Sequence, residues 1–145
     1  MDALEVRAPA LAALAVRLLA RMPAPVRRRV LADAFTRAER AFNRGDLEAV
    51  FALFAEDVEY VPPPALYSGE PIRGRAAVER FWSRTLARFQ ESAIANLSLK
   101  EAGPDRFVRT ARLSHSGPDG KLDYTIRQTT ELRSGRVVRQ VNEAT

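Results

Sequence analysis

Residues 41–64 read AFNRGDLEAVFALFAEDVEYVPPP, and the backbone changes habit three times within them. Ala41 and Phe42 close an apolar helical face, Gly45 in the NRGD turn stops that helix, and Asp46 is placed to cap a second one carrying Leu47, Val50, Phe51 and Phe54. Residues 57–61 then form a short strand that runs into Pro62, Pro63 and Pro64. Proline has no N–H and a fixed φ, so these three residues are excluded from a sheet interior and are expected to extend along the mouth of whatever the strand encloses.

Upstream, Leu31, Ala34, Phe35, Ala38, Ala41 and Phe42 keep helical spacing over 30–43, with Asp33, Arg37, Glu39 and Arg40 largely opposite. Downstream, Gly69 and Gly74 bracket a loop, after which Val78, Phe81, Trp82, Thr85, Leu86 and Phe89 mark a third helix. The period then changes from helical to two. Residues 92–100, 106–114, 122–133 and 136–143 alternate, separated by the turn signals AGPD, SGPDG and RSG. Three helices, one short strand and an antiparallel meander predict an α+β domain in which a curved, mostly antiparallel sheet wraps around the helices.

Before this domain, Leu11, Leu14, Leu18 and Leu19 fall at helical spacing and Pro23 and Pro25 follow, so residues 1–29 are expected to be an N-terminal helical extension and residues 30–145 the main domain. Arg17 and Arg21 interrupt the apolar run, so neither a membrane span nor a secretion signal is expected. A cytoplasmic location is the expectation. Hydrophobic residues at 46% and charged residues at 28% are ordinary for a globular chain of 145 residues. With no cysteine, disulfides, thiolate catalysis and cysteine-held zinc are excluded, and a single histidine with scattered carboxylates predicts no metal site. No cofactor is expected. The net charge of +5 is carried by arginine, since Lys100 and Lys121 are the only lysines. Arg27, Arg28 and Arg29 form a basic run without aromatic interleaving, which reads as a solvated helix start and predicts no nucleic-acid partner.

Residues 41–64, a loop closed by IRGRAAVERFW and four strands ending in SGRVVRQVNE together resemble the SnoaL-like branch of the nuclear transport factor two-like superfamily, over about residues 30–143. The resemblance implies a cystatin-like cone. It leaves function open, because that fold hosts enzymes, ligand binders and interaction domains. In ketosteroid isomerase, a relative within the superfamily, an aspartate base, a helix tyrosine and a protonated strand aspartate do the chemistry. The corresponding positions here are Pro62, Ala38 and about Gln128, so none of these groups is retained. For limonene epoxide hydrolase the nearest matches are Arg112, Ser114 and Asn142, which lack both acids.

Alternation along the strands predicts what faces the pocket. Tyr124, Ile126, Gln128, Thr130 and Leu132 form one inner face, Val138, Gln140, Asn142 and Ala144 another, and Phe107, Arg109, Ala111, Leu113 and His115 a third. The candidate ligand pocket is therefore lined by Tyr60, Tyr67, Trp82, Arg109, His115, Gln128, Gln140 and Asn142, with Tyr60 and Tyr67 flanking the prolines at its mouth. Buried amides and a buried guanidinium need partners, either a ligand or one another, as Gln128 and Asn142 would be across neighbouring strands. His115, beside the SGPDG turn, reads as an exposed strand-end histidine, and as the one candidate for a general acid or base. Two functions stand side by side. One is a pocket for a small, mostly apolar molecule with some polar groups. The other is an enzyme of the polyketide cyclase, dehydratase or isomerase kind, using His115 with Arg109 or Gln128. Either is compatible with a homodimer built on the outer sheet face through Arg127, Thr129, Glu131 and Arg139.

Overall fold

A computed structural model describes residues 22–145. The helix expected around Leu11, Leu14, Leu18 and Leu19 lies outside the described residues. Helix α1 (Ala24–Asn43) starts at Ala24 rather than at Val30 and so runs through the basic Arg27, Arg28 and Arg29. Pro23 and Pro25, which read as a stop for a preceding helix, begin this one: proline is tolerated in a first turn, where its missing N–H would have had no partner. The turn after α1 is made by Gly45, whose φ of 78° suits a residue without a Cβ.

Helix α2 (Leu47–Val50) is a single turn capped by Asp46, whose Oδ1 accepts from the Ala49 N–H at 3.1 Å. It is shorter than expected. Phe51 closes it and Phe54 opens strand β1 (Phe54–Val61), because the two rings meet edge to face at 4.9 Å in the core, which turns the chain between them. Strand β2 (Ile72–Arg73), which the sequence did not announce, pairs antiparallel with β1. Helix α3 (Arg75–Ala87) buries Val78, Trp82 and Thr85. Strands β3 (Glu91–Glu101), β4 (Arg106–Gly117), β5 (Gly120–Arg133) and β6 (Arg136–Ala144) lie within a few residues of their expected places.

Among the described residues the strands form one mixed sheet in the order β2-β1-β6-β5-β4-β3, with β1 parallel to β6 and the other pairs antiparallel. The helices and the sheet's inner face share a core of Phe42, Phe51, Phe54, Val58, Tyr60, Val78 and Trp82 with Ile94, Ala111, Leu113, Ile126 and Val137. This is the α+β cone expected, and it leaves a cavity between the first helix and the sheet.

Two local expectations are corrected. The register of β5 and β6 shifts between Glu131 and Leu132, so Leu132 faces Val137 and the buried residue of that turn of the strand is Val137, not Val138. The prolines do not line the mouth of the cavity. Pro62 and Pro63 are buried beyond the last β1–β6 pair, Val61 with Val141, and the Pro63 carbonyl accepts from the N–H groups of Leu66 and Tyr67 as the chain turns away. Proline cannot extend the ladder, so the sheet stops there.

Candidate functional site

Helix α1 and the inner face of the sheet border a partly open cavity of about 120 Å³. The helix contributes Leu31, Ala34, Phe35 and Ala38, all small or apolar, and the sheet contributes alternating residues of β4, β5 and β6 together with Tyr60 of β1 and Trp82 of α3. Six of the residues expected around the pocket meet here: Tyr60, Trp82, Arg109, Gln128, Gln140 and Asn142. The other two are elsewhere. Tyr67 packs edge to face on Phe81 at 5.7 Å and donates its hydroxyl to the Glu70 carbonyl, so it belongs to the loop after β1. His115 lines a separate cleft near Ser92, Gln90 and Lys121.

The cavity's polar side is built as two relays. On one, the Val61 carbonyl accepts from Asn142 Nδ2 at 2.9 Å, Asn142 Oδ1 accepts from Gln128 Nε2 at 2.9 Å, and Gln128 Oε1 is buried without a partner. A carbonyl can only accept, so Val61 dictates which way Asn142 points, and Asn142 dictates which way Gln128 points. On the other, Asn96 Nδ2 donates to Glu39 Oε2 at 2.9 Å and to the Phe35 carbonyl, while Asn96 Oδ1 accepts from Arg109 Nη1 at 2.9 Å. Arg109 Nε is buried without a partner. Arg109 and Gln128 stand directly opposite each other on β4 and β5, so the two bare atoms come from adjacent positions of one wall.

The Arg109 guanidinium lies over the Phe35 ring at 5.0 Å. Burial pushes its pKa down to about 10, against the pull of Tyr60 and Glu39, so it remains a cation at neutral pH. Burial likewise raises Tyr60, whose hydroxyl accepts from Trp82 Nε1 at 2.9 Å, so it remains a phenol. Gln140 Nε2 donates to Thr130 Oγ1 at 3.0 Å. Among the described residues no group of histidines and carboxylates is arranged to hold a metal ion.

His115 is not exposed, as its place beside a turn had suggested, but about 1% accessible. Its Nδ1 meets Ser92 Oγ at 2.7 Å and its Nε2 meets the Tyr124 hydroxyl at 2.8 Å, with the Phe89 ring stacked on the imidazole at 4.7 Å. Strands β4 and β5 stay paired as far as Gly117 with Gly120, further than SGPDG implied, which carries His115 inside. Glu39 and Asn96 were missed as site residues. Glu39 reads as part of the solvated face of α1, and Asn96 as an ordinary alternating position of β3.

The sequence model of one family, described as a SnoaL-like domain, matches residues 34–140. No curated protein matches the chain. Among solved structures, TerC co-crystallised with polyporic acid superposes with a TM-score of 0.66 at 19% identity, over 79% of this chain and 90% of that one. A protein of unknown function from Burkholderia pseudomallei, described as like nuclear transport factor two, gives 0.67 at 21% identity over 79% and 89%. A Mycobacterium tuberculosis protein in complex with estradiol-17β-hemisuccinate gives 0.64 at 19% identity over 77% and 90%. At these identities the shared property is the fold.

Proposed function

The chain belongs to the SnoaL-like domain family, and on that premise we propose that its cavity binds a small, mostly apolar molecule, with no reaction assigned. The observation that carries this is the void of about 120 Å³ between α1 and the sheet. Close-packed interiors rarely leave so much space, and an apolar cavity of about 150 Å³ takes up benzene. The ligand is therefore a single ring or its equivalent in size. Trp82, Tyr60 and the α1 side chains supply burial, and Arg109, Gln128, Gln140 and Asn142 orient the ligand. The folds of TerC and of the M. tuberculosis protein hold polyporic acid and estradiol-17β-hemisuccinate, which supports the use of this fold for ring compounds.

Fluorine NMR of fluorobenzene tests the reading. The wild-type chain broadens the resonance saturably and Ala38→Leu, which fills part of the void from α1, does not. Absence of saturable broadening in the wild type, or equal broadening in both, rejects it. No geometry favours the enzymatic alternative, since His115 lies outside the cavity that holds Arg109 and Gln128.

We further propose that two copies pair through the outer sheet face that carries Arg127, Thr129, Glu131 and Arg139. Arg106 with Glu131 at 2.7 Å and Arg127 with Glu143 at 3.1 Å already neutralise one another across the strands, which lowers the cost of covering them. A monomer by light scattering at high micromolar concentration would reject the pairing. The reading places the protein in the cytoplasm, which fractionation of the producing cell checks.

A further inference from the structure

We propose that the cavity selects a neutral hydroxyl-bearing ring, a phenol, enol or cyclic alcohol, whose oxygen accepts from Arg109 Nε while its proton is donated to Gln128 Oε1. The inference rests on the reading that the cavity takes a ring-sized molecule, and it names the polar group of that molecule.

The argument starts from the two bare atoms. Both belong to residues that line the cavity and are more than nine-tenths buried, and those residues are directly paired on β4 and β5. A buried polar atom without a partner is costly, so a donor and an acceptor left bare on paired residues describe the group they await. Gln128 cannot escape by turning its amide over. That would bring its carbonyl to Asn142 Oδ1, and turning Asn142 as well would set Asn142 Oδ1 against the Val61 carbonyl. Arg109 is tied in the same way through Asn96, whose orientation Glu39 and the Phe35 carbonyl set.

One group offers an acceptor and a donor on a single atom, and that is a hydroxyl. A hydrocarbon leaves both atoms bare. A carbonyl or ether answers Arg109 and leaves Gln128 Oε1 bare. An anion answers Arg109 but puts negative charge against the Gln128 carbonyl. Glu39 acts on Arg109 from behind Asn96, which lessens the pull of the guanidinium on an anion brought into an apolar cavity. The phenol form also suits the walls, because Phe35, Tyr60 and Trp82 offer ring faces and edges to a ring ligand.

Titration of the whole chain with para-fluorophenol, para-fluorotoluene and para-fluorobenzoate at neutral pH, followed by fluorine NMR, tests this. The three probes share ring and reporter and differ in the group presented. Para-fluorophenol is expected to bind about tenfold or more tightly than para-fluorotoluene, as a hydrogen bond to a charged donor allows, and more tightly than para-fluorobenzoate. Gln128→Leu, close in size, is expected to lose the preference for the phenol over para-fluorotoluene. Should that variant fail to fold, the wild-type ranking decides alone. Equal affinity for phenol and toluene would overturn the inference, showing that Arg109 and Gln128 satisfy each other in solution, while the ring-binding reading would stand. Tightest binding of the benzoate would overturn it in favour of an anion receptor. Binding of none of the three would remove the ring-binding reading and this inference together.

Discussion

Several groups hold His115: the Phe89 ring stacks on it, Ser92 and the Tyr124 hydroxyl meet its nitrogens, and Asp123 acts on it from the strand opposite. Burial lowers its pKa, with Asp123 opposing. In the unfolded chain the imidazole titrates at its ordinary value of about 6.5, so below that pH the unfolded state binds more protons than the folded one. Stability from this residue is present above pH of about 6.5 and is lost as pH falls below it. The denaturant midpoint should therefore drop between pH of about 7.5 and about 5.5, and His115→Gln should flatten that change; equal wild-type midpoints would rule the account out. Asn142 sets a second test at this scale. Asn142→Leu strands the Val61 carbonyl and Gln128 Nε2 and should cost about 1–3 kcal/mol for each group left bare, read from urea unfolding. A change under about 0.5 kcal/mol, the scale of an ordinary surface substitution, would mean that water replaces Asn142 there. The Gln128–Asn142 pair was readable from alternation and strand order. The burial of His115 was not, because it depends on how far two strands stay zipped beyond a turn whose composition looks like an end.

Helix α1 lies along β3, the edge strand of the sheet, and the match of the two elements is metrical. Arg27 holds Glu101 at 2.9 Å at one end, Asn96 reaches Phe35 and Glu39 in the middle, and Asn43 meets Ile94 at the other end. From Arg27 to Asn43 the helix advances about 24 Å, and from Glu101 to Ile94 the strand advances about 23 Å. The Asn43 side chain acts as a short piece of strand: Nδ2 donates to the Ile94 carbonyl at 3.2 Å and Oδ1 accepts from the Ile94 N–H at 2.8 Å. It thereby covers an edge that would otherwise present open backbone groups to another chain. Asn43→Ala should cost about 1–2 kcal/mol, since two partly buried bonds are lost, and the Ile94 amide should exchange its hydrogen faster. Unchanged exchange at Ile94 would refute the edge-covering role. The helices and strands themselves were legible because their apolar periods are local. Their ends were less so: Pro23 and Pro25 terminate or begin a helix equally well by composition, and Phe54 keeps helical spacing although ring packing makes it a strand residue.

The cavity exists because α1 faces the sheet with Ala34 and Ala38 where larger side chains would close the gap. Ala38→Leu should fill part of it and, as cavity-filling changes commonly do, raise stability by about 0.5–2 kcal/mol while abolishing ring binding. A loss of more than about 1 kcal/mol on chemical unfolding would mean that the wall at Ala38 is already in close contact. The order of elements and the inner faces of β4 and β5 could be read along the chain, because each follows from neighbours in sequence or from a motif of fixed spacing. The volume of the void, the exclusion of Tyr67 and His115 from it and the two bare atoms on Arg109 and Gln128 needed the folded chain. A void is the small remainder between the space that distant elements enclose and the side chains that fill it. A bare atom is what remains after every nearby donor and acceptor has been matched. Both remainders depend on contacts between residues far apart in sequence, such as Asn142 with Val61 and Asn96 with Glu39, which no local pattern encodes.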